Sequence, residues 1–256
     1  MLFSNLIQAN LKTQKIGKNI EYYPRTESTN IDAWELIKSE EIINGTIIIT
    51  DNQFQGQGRN GHSWFMGPGK GIAISIILTD KIDKHKALLI PLVTGIGLIK
   101  ALKSFEIKAS LKWPNDIFVK EKKLGGILCE SKLSKNSVDQ LVIGIGLNIN
   151  EIEADFPKEL KSSATSCRMI TEKPLQREII IAKILYHIES QLKMIKDDAR
   201  TLVNIWESYC NHINKPISFY FNKKKLDGVF IGLDPSGQAI IETNKSKKLF
   251  SSIIID

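Results

Sequence analysis

The chain has 256 residues, of which 42% are hydrophobic and 25% charged. That balance excludes a wholly disordered chain and allows one large core with a small satellite domain. The net charge of +7 invites a nucleic-acid reading, but 30 lysines against 5 arginines, in short separated clusters such as Lys122–Lys123, Lys223–Lys225 and Lys247–Lys248, describe a solvated surface. No stretch reaches the roughly 20 apolar residues of a membrane span, and the N-terminus lacks a basic start followed by an apolar run. A cytoplasmic protein without a membrane partner is expected. Cys129, Cys167 and Cys210 stand far apart, and the four histidines form no ligand pattern, so ordinary reduced cysteines are expected.

Residues 1–20 read as a short helix or a frayed arm. Ser28, Thr29 and Asn30 precede Trp34, Leu36 and Ile37 at helical spacing, the sign of a capped helix. Thr46–Thr50 is a β-branched, buried strand. A polar, glycine-rich stretch from Asp51 to Gly71 follows, long enough to suggest a functional lid. Strand Gly71–Thr79 and a helix over His85–Phe105 come next. Four strands are expected at Ser110–Trp113, Ile117–Lys120, Leu124–Leu133 and Val138–Asn148, with Glu121-Lys122-Lys123 as a turn. Leu175–Ile195 is amphipathic, with Ile181, Ile184, Leu185, Ile188, Leu192 and Ile195 on one face. A second helix covers about Ala199–Cys210. After Asn214-Lys215-Pro216, four short strands with turns at Asp227-Gly228 and Asp234–Gly237 predict a small barrel or meander.

Four segments carry chemistry. In Gln53–Trp64, closely spaced glycines let backbone N–H groups approach an anion, Arg59 offers a planar fork, and Trp64 a flat plate. A mobile surface loop with a core tryptophan is the plain alternative. Lys112-Trp113-Pro114-Asn115-Asp116 interrupts a strand at proline. Asp116 with Lys123 would suit a triphosphate and its Mg²⁺, or simply form a salt bridge at a turn. Lys123-Leu124-Gly125-Gly126-Ile127-Leu128-Cys129-Glu130 permits close approach of a ligand, or marks a bulge. Gly144-Ile145-Gly146-Leu147-Asn148 suits a nucleotide, or a bend.

In this order and spacing the segments resemble the biotin–protein ligase family, from about Tyr23 to the C-terminus. The marks are Ser28-Thr29-Asn30, Gly56-x-Gly58-Arg59-x-Gly61-x-x-Trp64, Lys112–Asp116, Lys123–Glu130 and Gly144–Asn148. The resemblance implies an α+β fold: a mixed sheet flanked by helices, like the class II aminoacyl-tRNA synthetase and biotin ligase catalytic fold. A small C-terminal SH3-like β barrel would follow, with domains at 1–213 and 214–256. It implies biotin and ATP with Mg²⁺ as substrates, no tightly bound cofactor, a biotinyl-5'-AMP intermediate, and a biotin carboxyl carrier protein as acceptor. A homodimer is compatible with the family.

Carried over residue by residue, Ser28, Thr29, Asn30 and Gln53 would meet the ureido head. Gly56, Gln57, Gly58, Arg59 and Trp64 would close over biotin, with Gly125 and Gly126 lining its cavity. Arg59 and Lys123 would be catalytic, Lys123 touching both the biotin carboxylate and the α-phosphate. Lys112, Asn115, Asp116 and Asn148, with Arg59 and Trp64, would serve the nucleotide, and Asp116 the Mg²⁺. Gln57 and His62 stand where the family often carries arginine, which predicts a weaker or more pH-dependent hold on the adenylate. Only about 20 residues precede the first motif, too few for a helix-turn-helix, so the chain resembles members without a DNA-binding module and no DNA partner is expected. The alternatives are a lipoate or octanoate ligase or transferase, and a non-catalytic biotin sensor.

Overall fold

The structure, a computed structural model, describes residues 1–39, 42–244 and 246–255, with the backbone alone at 196 and 197. In chain order, α1 (Ser4–Asn10) precedes β1 (Ile20–Tyr23), α2 (Thr29–Lys38), β2 (Ile47–Thr50), β3 (Gly56–Gln57), β4 (Ser63–Trp64), β5 (Ile72–Leu78) and β6 (Ile82–Asp83). Then come α3 (Leu89–Lys103), β7 (Ser110–Lys112), β8 (Asp116–Val119), β9 (Lys122–Leu133) and β10 (Ser137–Leu147). Three helices, α4 (Cys167–Thr171), α5 (Arg177–Asp197) and α6 (Ala199–Tyr209), lead to β11 (Lys215–Phe221), β12 (Lys224–Leu233), β13 (Ala239–Thr243), β14 (Ser246–Phe250) and β15 (Ile254–Ile255).

The main sheet runs β1-β2-β5-β10-β9-β8-β7, with β6 added to β10. Only the β1–β2 pair is parallel among these, so the sheet is mixed. The period-2 alternation of strands divides its residues between two faces. Ile47, Ile49, Ile74, Ile76, Ile143 and Ile145 belong to the larger core, which includes residues of α3, α5 and α6. Ile48, Ile77 and Val142 face the other way and pack with Ala33 and Ile37 of α2. Helices α3 and α5 approach so closely at Gly97 that a Cβ there would lie 3.0 Å from the Ile188 backbone nitrogen.

Several expected boundaries move. The arm at the start is a helix, pinned by Ile7, which is fully buried, and packed on α5. The single helix expected over His85–Phe105 is two pieces: a 3-10 turn at Lys84–Lys86, capped by the Asp83 carboxylate accepting from the His85 N–H at 2.9 Å, and then α3. Pro91 falls in the first turn of α3, where its missing N–H leaves no helical bond unmade. The turn expected at Glu121–Lys123 lies at Lys120–Glu121, with Lys120 at φ 54°, and Lys122 and Lys123 are already in β9. The C-terminal segment holds five strands rather than four, in the order β14-β13-β12-β11-β15. Residues 245 and 256 of that segment lie outside the described residues.

Candidate active site

The sheet face turned toward α2 carries an unusual row. Ala73, Gly146, Gly126 and Asp116 are successive cross-strand partners on β5, β10, β9 and β8, and Lys112 continues the row on β7. Three of these side chains are a methyl group or nothing, so the middle of the face is a trough. The neighbouring row, Ser75, Gly144 and Leu128, is similar. A Cβ at Gly144 would lie 2.3 Å from Asn30 Oδ1, and one at Gly146 would lie 2.4 Å from the Trp64 ring. The two glycines therefore admit Asn30 from α2 and Trp64 from the glycine-rich loop onto the sheet.

The resulting cavity, of about 180 Å³, is lined by residues of all five segments singled out in the sequence. Ser28, Thr29, Asn30 and Gln53 contribute neutral polar groups. Ser28 occupies the N-cap position of α2, yet its side chain makes no capping bond, which leaves the hydroxyl available to the cavity. Gln53 Oε1 accepts from the Thr29 backbone N–H at 3.0 Å. Behind them, Ser75 Oγ lies 2.7 Å from Thr29 Oγ1 and 2.6 Å from Asn30 Oδ1, and Asn30 Nδ2 donates to Glu130 at 2.7 Å.

The charged part of the wall comprises Arg59, Lys112, Asp116 and Lys123. Lys123 Nζ pairs with Asp116 Oδ1 at 2.7 Å beside Gly126. Asn115, next to a cis Trp113–Pro114 bond, donates to the Ile127 carbonyl at 2.7 Å. Arg59 sits on a 3-10 turn within the loop and donates to Asn115 at 3.5 Å and to Ser252 Oγ at 3.0 Å. Burial pulls its guanidinium below its ordinary value, while Asp116 and Cys129 push back. Ile253, Ile254 and Ile255 complete the wall from the far end of the chain.

Not every expected site residue reaches the cavity. Gly56, Gly125 and Asn148 stand behind the wall: a Cβ at Gly56 would meet Trp64 O at 2.6 Å, and one at Gly125 would meet Gly146 O at 2.7 Å. Asn148 is buried, donates from Nδ2 to Thr165 O at 3.0 Å, and leaves Oδ1 without a partner. Gln57 and His62 do line the cavity. Ser75, Glu130, Ser252 and Ile253–Ile255 were not assigned roles from sequence. A lone serine in the apolar run IAISIIL was the one visible sign of Ser75.

A mixed sheet whose glycine trough gathers uncharged hydrogen-bonding groups beside Arg59 and the Lys123–Asp116 pair forms a site for a small ligand with both neutral polar and anionic parts. Residues 22–148 match the Biotin/lipoate A/B protein ligase family. The bifunctional ligase/repressor BirA of Bacillus subtilis is 31% identical over 255 residues, covering 97% of this chain and 77% of that protein. The biotin–[acetyl-CoA-carboxylase] ligase of Paracoccus denitrificans is 26% identical over 224 residues, 85% of this chain and 91% of that one. The biotin protein ligase of Aquifex aeolicus, solved in complex with biotin and ATP, superposes with a TM-score of 0.79 at 32% identity, over 93% of this chain and 98% of that one. The chain belongs to the biotin–protein ligase family.

Proposed function

We propose that this protein condenses biotin with ATP to give biotinyl-5'-AMP and pyrophosphate, then transfers the biotinyl group to a lysine of a biotin carboxyl carrier protein. The observation that carries this reading is the meeting, in one cavity, of the Ser28, Thr29 and Gln53 polar groups with the Lys123–Asp116 pair and Arg59. The first set suits a ureido ring, which offers both N–H and C=O. The second suits a carboxylate and an α-phosphate that must meet in spite of like charge. A dithiolane or a plain acyl chain would leave the polar set unpaired, which disfavours lipoate and octanoate.

In the first step a biotin carboxylate oxygen attacks the α-phosphorus and pyrophosphate leaves. In the second the acceptor's neutral ε-amine attacks the acyl carbon and AMP leaves. Neither step needs a protein nucleophile. Lys123 would draw the two anions together and hold the charge that develops between them, and Arg59 would keep the adenylate in place. Among the described residues no group of three metal-ligating side chains exists. A single carboxylate, Asp116, fits Mg²⁺ that arrives mostly coordinated by ATP phosphates. When bound, that ion would neutralise the leaving pyrophosphate. The five-stranded C-terminal sheet we assign to a small SH3-like domain starting at Asn214.

The test is pyrophosphate release from ATP and Mg²⁺ with biotin, lipoate and octanoate in parallel. Release with biotin alone is expected. Release with lipoate instead would overturn the substrate, and biotin binding without release would leave a sensor.

A further inference from the structure

A second cavity, of about 240 Å³, lies against the other face of the main sheet and meets the first at Arg59. Arg59, Trp113, Pro114, Asn115 and Ile127 line both. The strand register explains how one side chain serves two faces. Strand β8 pairs with β9 only as far as Gly126. Asn115 covers the next step: its carbonyl accepts from the Ile127 N–H at 2.9 Å and its Nδ2 donates to the Ile127 carbonyl at 2.7 Å. Past Ile127, among the described residues, no strand flanks β9 on that side, and Arg59, bonded to Asn115, stands at the open edge. Beyond it, Ile127, Cys129 and Leu141 belong to the larger core and floor the second cavity. Ile90 and Pro91 of α3 form one wall, and Gly237 and Ser251 another. Trp113 closes the corner, donating from Nε1 to the Gly237 carbonyl at 3.2 Å.

The charges here are one-sided. Among the described residues Arg59 is the one charged side chain that lines this cavity, and no carboxylate does. The guanidinium donates to two neutral oxygens, Asn115 Oδ1 and Ser252 Oγ, and forms no ion pair among the described residues. A half-buried cation with a planar fork and no counter-ion faces an otherwise uncharged space. We propose that this second cavity is a ligand site for a compact carboxylate with an apolar ring or branched body, its carboxylate taking the Arg59 fork from the side opposite the first cavity. The walls disfavour an inorganic anion, which would lose hydration and bury no apolar surface in return. The lack of a lining carboxylate disfavours an amine. Arg59 cannot serve two anions fully, so a carboxylate here weakens the hold on the adenylate, and linkage makes that antagonism reciprocal. The antagonism rests on the function proposed above; the site itself does not.

The probe is cyclohexanecarboxylate, titrated calorimetrically into the full chain with and without saturating biotin, beside its neutral amide. The acid should bind in both conditions, and the amide about tenfold or more weaker, the value of a charge-assisted hydrogen bond. Cys129→Phe, which fills the floor, and Ser131→Trp, at the exposed mouth, should each abolish acid binding and leave biotin affinity unchanged, with melting temperature as the control for fold. Saturating acid should speed leakage of biotinyl-5'-AMP several-fold. Acid that biotin displaces one for one, an amide that binds as well as the acid, or normal acid binding by both folded variants would each overturn the site. Acid binding with unchanged leakage would overturn the antagonism. Protein that binds the acid but not biotin would uphold the site and overturn the proposed function.

Discussion

The Lys123 ammonium pairs with Asp116 at 2.7 Å, and that pair stands in a cavity wall and not in the core. Lys123→Ala should therefore lower biotin-dependent pyrophosphate release by about 10²–10³-fold, the usual cost of one charge-stabilising donor. Far-UV circular dichroism should be unchanged. Near-normal release would remove Lys123 from the chemistry. Arg59 differs, because it bridges the loop to Asn115 and Ser252. Arg59→Gly should speed escape of the adenylate by about tenfold or more, the value of a charge-assisted bond, while biotin affinity changes less. Equal leakage from wild type and variant would refute that role. These side chains were legible because Arg, Lys and Asp among glycines have few structural uses. Glu130 was legible only as the end of a motif, without a role, and Ser75 was not legible. Ser75 looks like an ordinary strand residue until the register brings Ser75, Gly144 and Leu128 into line.

At the scale of elements, the site is made by β10 lacking side chains at two successive positions of one face. Gly144 and Gly146 alternate with Ile143, Ile145 and Leu147, which fill the other face. Gly144→Ala should push Asn30 out of its slot at a cost of about 1–3 kcal/mol, typical of overpacking. Isothermal titration would then read a roughly five- to hundred-fold loss in biotin affinity. Unchanged affinity would show that Asn30 has room to retreat. The strands themselves were visible in the sequence, since β-branched runs and period-2 alternation mark β2, β5, β9 and β10. What periodicity missed were short elements: β1, the β3–β4 hairpin within the loop, β6, α4 and the two-residue β15. The turn before β9 was misplaced by two residues because lysines look alike in a turn and at an exposed strand start.

At the scale of the molecule, a buried ion pair joins layers distant in sequence. Arg177, in the first turn of α5, donates to Asp51 Oδ1 at 2.6 Å and to the Gly71 carbonyl at 3.1 Å, so it holds both ends of the glycine-rich segment. Asp51 also accepts from Tyr22 at 2.6 Å and from the Leu2 N–H at 2.9 Å. Burial alone would raise the Asp51 carboxyl, but these bonds overcome it and hold it below the usual range. The stability it adds is present above its unfolded value and is lost as pH falls through the folded one. Arg177→Met should cost about 3–5 kcal/mol, because it strands a buried carboxylate, and urea unfolding would read it. His212 supplies the opposite case. Burial, with Lys112 and Lys215 nearby, pushes it down to about 4. It stays neutral in the fold while the unfolded chain takes up a proton, so up to about 3 kcal/mol should be lost between pH 6.5 and pH 4. His212→Phe should flatten that part of the pH profile, and an unchanged slope would assign the loss elsewhere.

The cavity wall runs from Ser28 to Ile255, so every residue through Ile255 must leave the ribosome before the pocket exists. A nascent chain that has already built the main sheet still lacks the Ser252 anchor for Arg59 and the isoleucine strand beside it. Substrate capture thus waits until Ile255 has emerged. A chain cut short before Ser251 would keep the large core and forfeit the enclosure on which retention of a reactive intermediate depends.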